Sequence, residues 1–304
     1  MKKSVLVILI VALFVSCNSE SKKDLKEIKD EVVVSSIAKS RVNSNENLNI
    51  SILLDLSDRI DTIKYSNNAM QFYRRDVGYL KSIAKAFSHK TSYKKSRKLD
   101  DKIQIYFDPE PANSQINALS NSLKVNITRD NGTLELINGV PSLYEKNTLE
   151  IYKLALKDNN FIGSDLWGLF KNKVNDYCIR AEDRNILILL TDGYIYHEYS
   201  KRKHNNLTSY LTPQTIRTNK LSNSDWKSNI EKGNFGFIPI ETDLSNLEVL
   251  VLGINPSKKN QYDDEIIKKY WSDWLTKMGV KKFELKNANL PSNMDKIIND
   301  FITK

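Results

Sequence analysis

The hydrophobic pattern alternates between short, nearly unbroken apolar runs and stretches where apolar positions recur every three or four residues. The first run, Ile50–Leu54, lies in NISILLDLSDRID (Asn49–Asp61) and stops at Asp55, Ser57, Asp58, Arg59 and Asp61. An apolar run this short, bounded by turn residues, predicts a buried strand. Lys102–Phe107 (KIQIYF), Asn185–Leu190 (NILILL), Leu247–Ile254 (LEVLVLGI) and Val280–Leu285 read the same way. Helical spacing predicts helices over Ala69–His89, Asn113–Leu123, Leu149–Leu156, Leu166–Cys178, Asp263–Met278 and Ser292–Ile302. Gly279 is expected as a C-cap and Ser292 as an N-cap. Asp130-Asn131-Gly132 predicts a hairpin over Val125–Ile137, because Asn-Gly suits the positive φ angles of a tight turn.

Strands alternating with helices predict one α/β domain with a doubly wound, mostly parallel sheet and helices on both faces. The domain is expected over residues 48–304, with no internal repeat. A polar stretch at about 194–237, carrying a helix near Asp225–Glu231, is long for a connection and reads as an insertion. The basic segment His89–Lys102 reads as a solvated loop.

Composition narrows the function classes. Only 10 glycines occur in 304 residues, and neither GxGxxG nor GxxxxGK[ST] is present, which removes the usual phosphate loops. The net charge of +9 would suggest nucleic acid for an intracellular chain. The N-terminus argues otherwise: Lys2 and Lys3 precede the apolar run Val5–Val15, too short for a permanent span, and Ser16-Cys17 closes it. This resembles a bacterial lipoprotein signal over residues 1–17, with Cys17 as the lipidated residue and Phe14 where Leu is usual. An ordinary signal peptide cut near Ser16 is the alternative, and both imply export. Residues 18–47, rich in Ser, Lys, Glu and Asn apart from a helical patch at Leu25–Val34, suit a tether. Cys178, the second of two cysteines, falls in an apolar-periodic stretch and is expected to be a buried, inert thiol.

Two of the predicted strands end in carboxylates: Leu54 runs into Asp55, and Leu190 into Thr191-Asp192-Gly193. Between them, Ile162-Gly163-Ser164-Asp165 forms a turn that opens a helix. Ligands of parallel sheets sit beyond the carboxyl ends of strands, so Asp55, Ser57, Ser164 or Asp165, and Asp192 are expected to converge on one crevice. Oxygen donors without His or Cys suit Mg²⁺, Mn²⁺ or Ca²⁺. His89, His197 and His204 have no metal-ligand spacing. Ser57 lacks a nucleophile elbow and an evident base, and Trp271 and Trp274 are expected in the core.

Asp55-Leu56-Ser57, Gly163-Ser164-Asp165 and Thr191-Asp192-Gly193, in that order after suitable strands, resemble the metal-ion-dependent adhesion site of the von Willebrand factor type A family. The resemblance runs from about Leu48 to Phe301. It implies a divalent ion held by Asp55, Ser57, Ser164, Asp165 and Asp192, and a partner carboxylate completing the coordination. Arg59 departs from the pattern, standing where the motif has a second Ser. Either it turns away and water fills the gap, or it folds over Asp55 or Asp192 as a counter-charge in the metal's place.

The function expected is that of a membrane-anchored cell-envelope lipoprotein that binds or assembles with an envelope or extracellular protein, without catalysis and without nucleic acid. A metal-assisted hydrolase of an envelope phosphate or ester, using Asp55 and Asp192, is the competing reading. A third places the function in the 194–237 insertion.

Overall fold

The computed structural model describes residues 46–304. The signal segment, Cys17 and nearly all of the tether lie outside the described residues. Among those described, no helix is long and apolar enough to cross a membrane.

The described chain is a mixed α/β domain around a six-stranded, mostly parallel sheet. The elements are β1 (Leu48–Leu54), α1 (Phe72–Ser92), β2 (Asp100–Tyr106), α2 (Ser114–Ser122), β3 (Val125–Thr128), α3 (Leu134–Asp158), α4 (Leu166–Asn172) and α5 (Val174–Cys178). There follow β4 (Arg184–Leu190), β5 (Lys203–His204), β6 (Leu207–Thr208), α6 (Pro213–Thr218), α7 (Trp226–Gly233), β7 (Gly236–Phe237), β8 (Leu247–Ile254), α8 (Asp263–Lys277), β9 (Lys282–Asn287) and α9 (Pro291–Thr303). The sheet order is β3-β2-β1-β4-β8-β9, with only β3 antiparallel to its neighbour. The two most apolar runs, β1 and β4, lie side by side in the middle, Leu54 paired in register with Leu190. Their carboxyl ends therefore finish level, which brings Asp55 and Asp192 to the same edge.

Side chains alternate across β1. Ile50, Ile52 and Leu54 join a cluster with Leu80 and Ile83 of α1, Tyr144 and Ile151 of α3, and Ile298 of α9. Leu53 joins a second cluster with Trp167 and Phe170 of α4 and with Trp271 and Trp274 of α8. Burial of apolar surface on both faces is the main source of stability, at roughly 25 cal/mol per Å². Both tryptophans of α8 are core residues, as expected. Cys178 is 1% exposed and burial pushes its thiol up to about 11, which makes it inert.

Several expected elements differ. The hairpin at Asn131-Gly132 does not form: β3 pairs with β2, and the chain enters the 25-residue α3, whose N-cap Thr133 accepts from the Leu136 N–H. Asn131 instead folds its side-chain oxygen back onto the Thr128 N–H at 2.7 Å. Only the last third of α3 shows in the sequence, because Gly139 and Pro141 interrupt the pattern. Pro141 has no N–H for the Ile137 carbonyl four residues earlier, and Ser88 Oγ of α1 donates to that carbonyl at 2.7 Å. The expected helix Leu166–Cys178 breaks at Lys173 into α4 and α5. The segment His89–Lys102 is not all loop, since α1 continues to Ser92 and β2 begins at Asp100. The last strand sits two residues later than expected, and α9 starts at Pro291, whose fixed φ suits the first helical position, so Ser292 is not its cap. The C-cap of α8 is Met278, and Gly279, expected there, is the next residue, at φ +82°.

The polar stretch after Asp192 has structure of its own. β5, β6 and β7 form a small sheet, and Leu211, Ile216, Trp226, Ile230 and Phe237 pack into the second core cluster.

Candidate functional site

At the centre of the sheet edge, the Asp55 N–H donates to the Leu190 carbonyl at 3.2 Å and the Thr191 N–H to the Leu252 carbonyl at 3.1 Å. The ends of β1, β4 and β8 are thereby locked together. The turn after β1 reverses at once into a single helical turn, Asp58–Ile60, which carries Arg59 back over the strand ends.

Asp55 is nearly inaccessible, 6% exposed. Its Oδ1 accepts from the Ser57 N–H and the Ser164 N–H, both at 3.1 Å, and its Oδ2 accepts from Ser57 Oγ at 2.8 Å. Arg59 Nε lies 3.5 Å from that same Oδ2. A carboxylate offers about four acceptor positions; three here accept hydrogen bonds from within the chain, and Arg59 adds a close positive charge.

Arg59 is folded in, 5% exposed. Its Nε donates to the Asp55 carbonyl at 3.2 Å; its Nη2 donates to Asp76 Oδ2 at 2.6 Å and to the Leu190 carbonyl at 3.0 Å. Asp76, on the buried face of α1, also accepts from the Tyr152 hydroxyl of α3 at 2.9 Å. Burial alone would lower the Arg59 pKa, but Asp76 beside it, with Tyr152 and Asp55 behind, holds it above its ordinary value. Burial pushes the Asp76 carboxyl up against the pull of Arg59 and Tyr152. At 2.6 Å the ion pair is the state this geometry describes.

The other expected residues are placed unequally. Ser164 is buried, its N–H on Asp55 and its hydroxyl donating to the Leu54 carbonyl at 3.3 Å. Gly163, just before it, lies against the same loops: a Cβ on it would stand at ordinary contact distance, 3.7 Å from the Ser57 Cβ and 3.5 Å from the Tyr196 carbonyl. Asp165 is turned back on its own helix, capping α4 through the Gly168 N–H at 2.8 Å. Its second oxygen lies 3.6 Å from His197 Nδ1. Asp192 is half-buried, its Oδ1 accepting from the Tyr194 N–H at 3.0 Å. Burial and then the Asp55 charge push its carboxyl up to about 7, against Arg59 and the Tyr194 N–H. Asp55, Ser57, Ser164 and Arg59 thus form one bonded cluster, with Asp192 electrostatically coupled to it and Asp165 on its margin.

Two members escaped sequence reasoning. Asp76 is a carboxylate on the apolar stripe of α1, four residues before Leu80, and that misplacement was its signal. Tyr152 gave none, being an aromatic residue at an ordinary core spacing.

A divalent ion would meet a poor donor set here. The Asp55 oxygens already accept three hydrogen bonds from Ser57 and Ser164, and the buried Arg59 guanidinium neutralises the cluster. Among the described residues, no three His, Cys, Asp or Glu side chains gather so as to hold a metal. A single and a double positive charge roughly 5 Å apart repel by about 7 kcal/mol at an effective dielectric of about 20. The residues present therefore do not fit the ion that the family resemblance implies.

Beside the cluster, a cavity of about 440 Å³ opens between the ends of β1 and β2 and the start of α2, with Leu56, Phe107, Asp108, Asn113 and Asp158 in its wall. Asp108 is held by Lys173 Nζ at 2.7 Å, and its carbonyl takes the Asp165 N–H at 2.7 Å.

No family model and no curated relative matches the chain. Among solved structures it is similar to the pilus adhesin SpaC from Lactobacillus rhamnosus GG, at 10% identity and a TM-score of 0.40. The similarity covers 84% of this chain and 30% of the adhesin's, so the chain spans under a third of that protein's length.

Proposed function

We propose that the chain is a membrane-anchored cell-envelope lipoprotein whose doubly wound, von Willebrand type A-like domain binds a protein partner over its strand-end crevice. One observation carries the reading. Of the nine large hydrophobic side chains exposed among the described residues, four lie in the loops leaving β1 and β4: Ile63, Tyr65, Tyr196 and Tyr199. Exposed aromatics around a polar, rigidly bonded centre have the composition of a protein-binding patch, where Tyr is enriched. Ile63 at 90% and Tyr199 at 86% exposure contribute little to the fold and are available to a partner.

Catalysis finds less support. Among the described residues the Ser57 hydroxyl bonds to Asp55 and to no imidazole, and Asp55 already accepts two further N–H groups.

The full chain, purified in detergent and used to capture envelope proteins, tests the proposal. Ile63→Ser and Tyr199→Ser are expected to abolish capture of a defined partner while the melting temperature holds. Capture unaffected by both but lost on disrupting α6 or α7 would move the function into the insertion. Incorporation of labelled fatty acid, abolished by Cys17→Ser, tests the anchor.

A further inference from the structure

We propose that Arg59 is the permanent cation of this crevice, standing in for a divalent ion, so that the site works without metal. The cation assignment is independent of the proposed function; its consequence, partner binding that chelators leave intact, rests on that function.

Three observations place Arg59 in this role. Its guanidinium is held by two buried carbonyls, Asp55 and Leu190, which are backbone groups of the two adjacent strand ends. Its Nε also stands 3.5 Å from the Asp55 carboxylate as a counter-charge, while the hydrogen bonds to that carboxylate come from Ser57 and Ser164. It is anchored from below by Asp76, a carboxylate that α1 contributes and Tyr152 orients. The short loop Asp55–Arg59 is thus drawn onto the strand ends by a charge that belongs to the chain. A dissociable ion would do the same work only while bound. A guanidinium also offers planar, fixed donors, so the loop geometry it imposes is directional in a way a spherical ion's is not.

The exchange can be tested by mutation. Arg59→Ser gives the first loop the sequence Asp-Leu-Ser-Asp-Ser and removes the repelling charge. Asp76→Asn, made together with it, keeps the buried carboxylate from being orphaned.

Mn²⁺ and Mg²⁺ titrations of the full chain, followed by calorimetry and by Mn²⁺ paramagnetic resonance, test the assignment. The wild type is expected to show no saturable binding and no change in melting temperature with EDTA. Arg59→Ser/Asp76→Asn is expected to gain at least about tenfold in Mn²⁺ affinity, and Asp192→Ala in that background to lose the gain. Saturable Mn²⁺ binding by the wild type, removed by Ser57→Ala, would overturn the assignment, whether or not any Arg59 variant folds. A folded double variant that gains nothing would overturn it too. Either result leaves the loop surface of Ile63 and Tyr199 standing, whereas failure of those two variants to affect capture removes that surface and leaves the role of Arg59 untouched.

Discussion

The Arg59 guanidinium meets the Asp76 carboxylate at 2.6 Å, with 5% and 2% of the two side chains exposed. This pair joins the loop after β1 to the body of α1 beneath the crevice. Losing one partner of a buried pair leaves an uncompensated charge, at a cost of roughly 3–5 kcal/mol. Arg59→Met and Asp76→Leu are each expected to destabilise by that order in urea unfolding, and Arg59→Met/Asp76→Leu by less than the sum. Additive losses would show that the pair is not coupled.

The pH dependence of stability should carry the mark of Asp192. Its carboxyl titrates near 7 in the folded chain and near 4 when unfolded. Between those values the folded state holds a proton that the unfolded state releases. The contribution is fully present below about pH 4 and is lost as pH rises through about 7. Asp192 is half-buried, so an effect on the order of 1–3 kcal/mol is expected after allowance for screening. Asp192→Asn should flatten that slope, raising stability at pH 8 relative to wild type more than at pH 5. Denaturant midpoints across this range, compared for the two proteins, provide the check; parallel curves would count against it.

The Pro141 site offers a cleaner test of packing. Ser88 Oγ donates to the Ile137 carbonyl that Pro141 cannot serve. Ser88→Ala is expected to cost about 1–2 kcal/mol in the wild type, since it leaves a buried carbonyl unpaired. In a Pro141→Ala background the restored N–H takes over, and the same change should cost markedly less. A double-mutant cycle measures the difference; equal costs in both backgrounds would break the link.

Gly193 sits directly after Asp192 at φ +92°, and a Cβ there would come within 2.8 Å of the Ile267 side chain. Gly193→Ala should therefore destabilise by about 1–3 kcal/mol through strain and overpacking together. Thermal unfolding reads the loss, and an unchanged melting temperature would contradict the stated geometry.

How far the sequence reveals this molecule follows from the range of the interactions involved. The central strands were legible because strands buried on both faces are written as unbroken apolar runs; Asp55, Ser57 and Asp192 follow them directly, and Ser164 lies in the turn that opens α4. The bond from Arg59 to Asp76 was not, because it links residues 17 apart through the return of α1 under the sheet. Tyr152 reaches the same carboxylate across 76 residues. The start of α3 was hidden for a local reason: Asn131-Gly132 has the composition of a tight hairpin turn, yet β2 was already available as the partner of β3. The break at Lys173 and the start of α9 at Pro291 were one-residue backbone choices that apolar periodicity does not encode.

A crystal structure of the full chain soaked in Mn²⁺ tests the central claim, that Arg59 is the crevice's own cation, most directly. The result expected is no anomalous peak beside Asp55 and Ser57, with Arg59 still bonded to Asp76 and the Leu190 carbonyl. A peak within coordination distance of Ser57 Oγ, with the guanidinium swung out of the crevice, would contradict it.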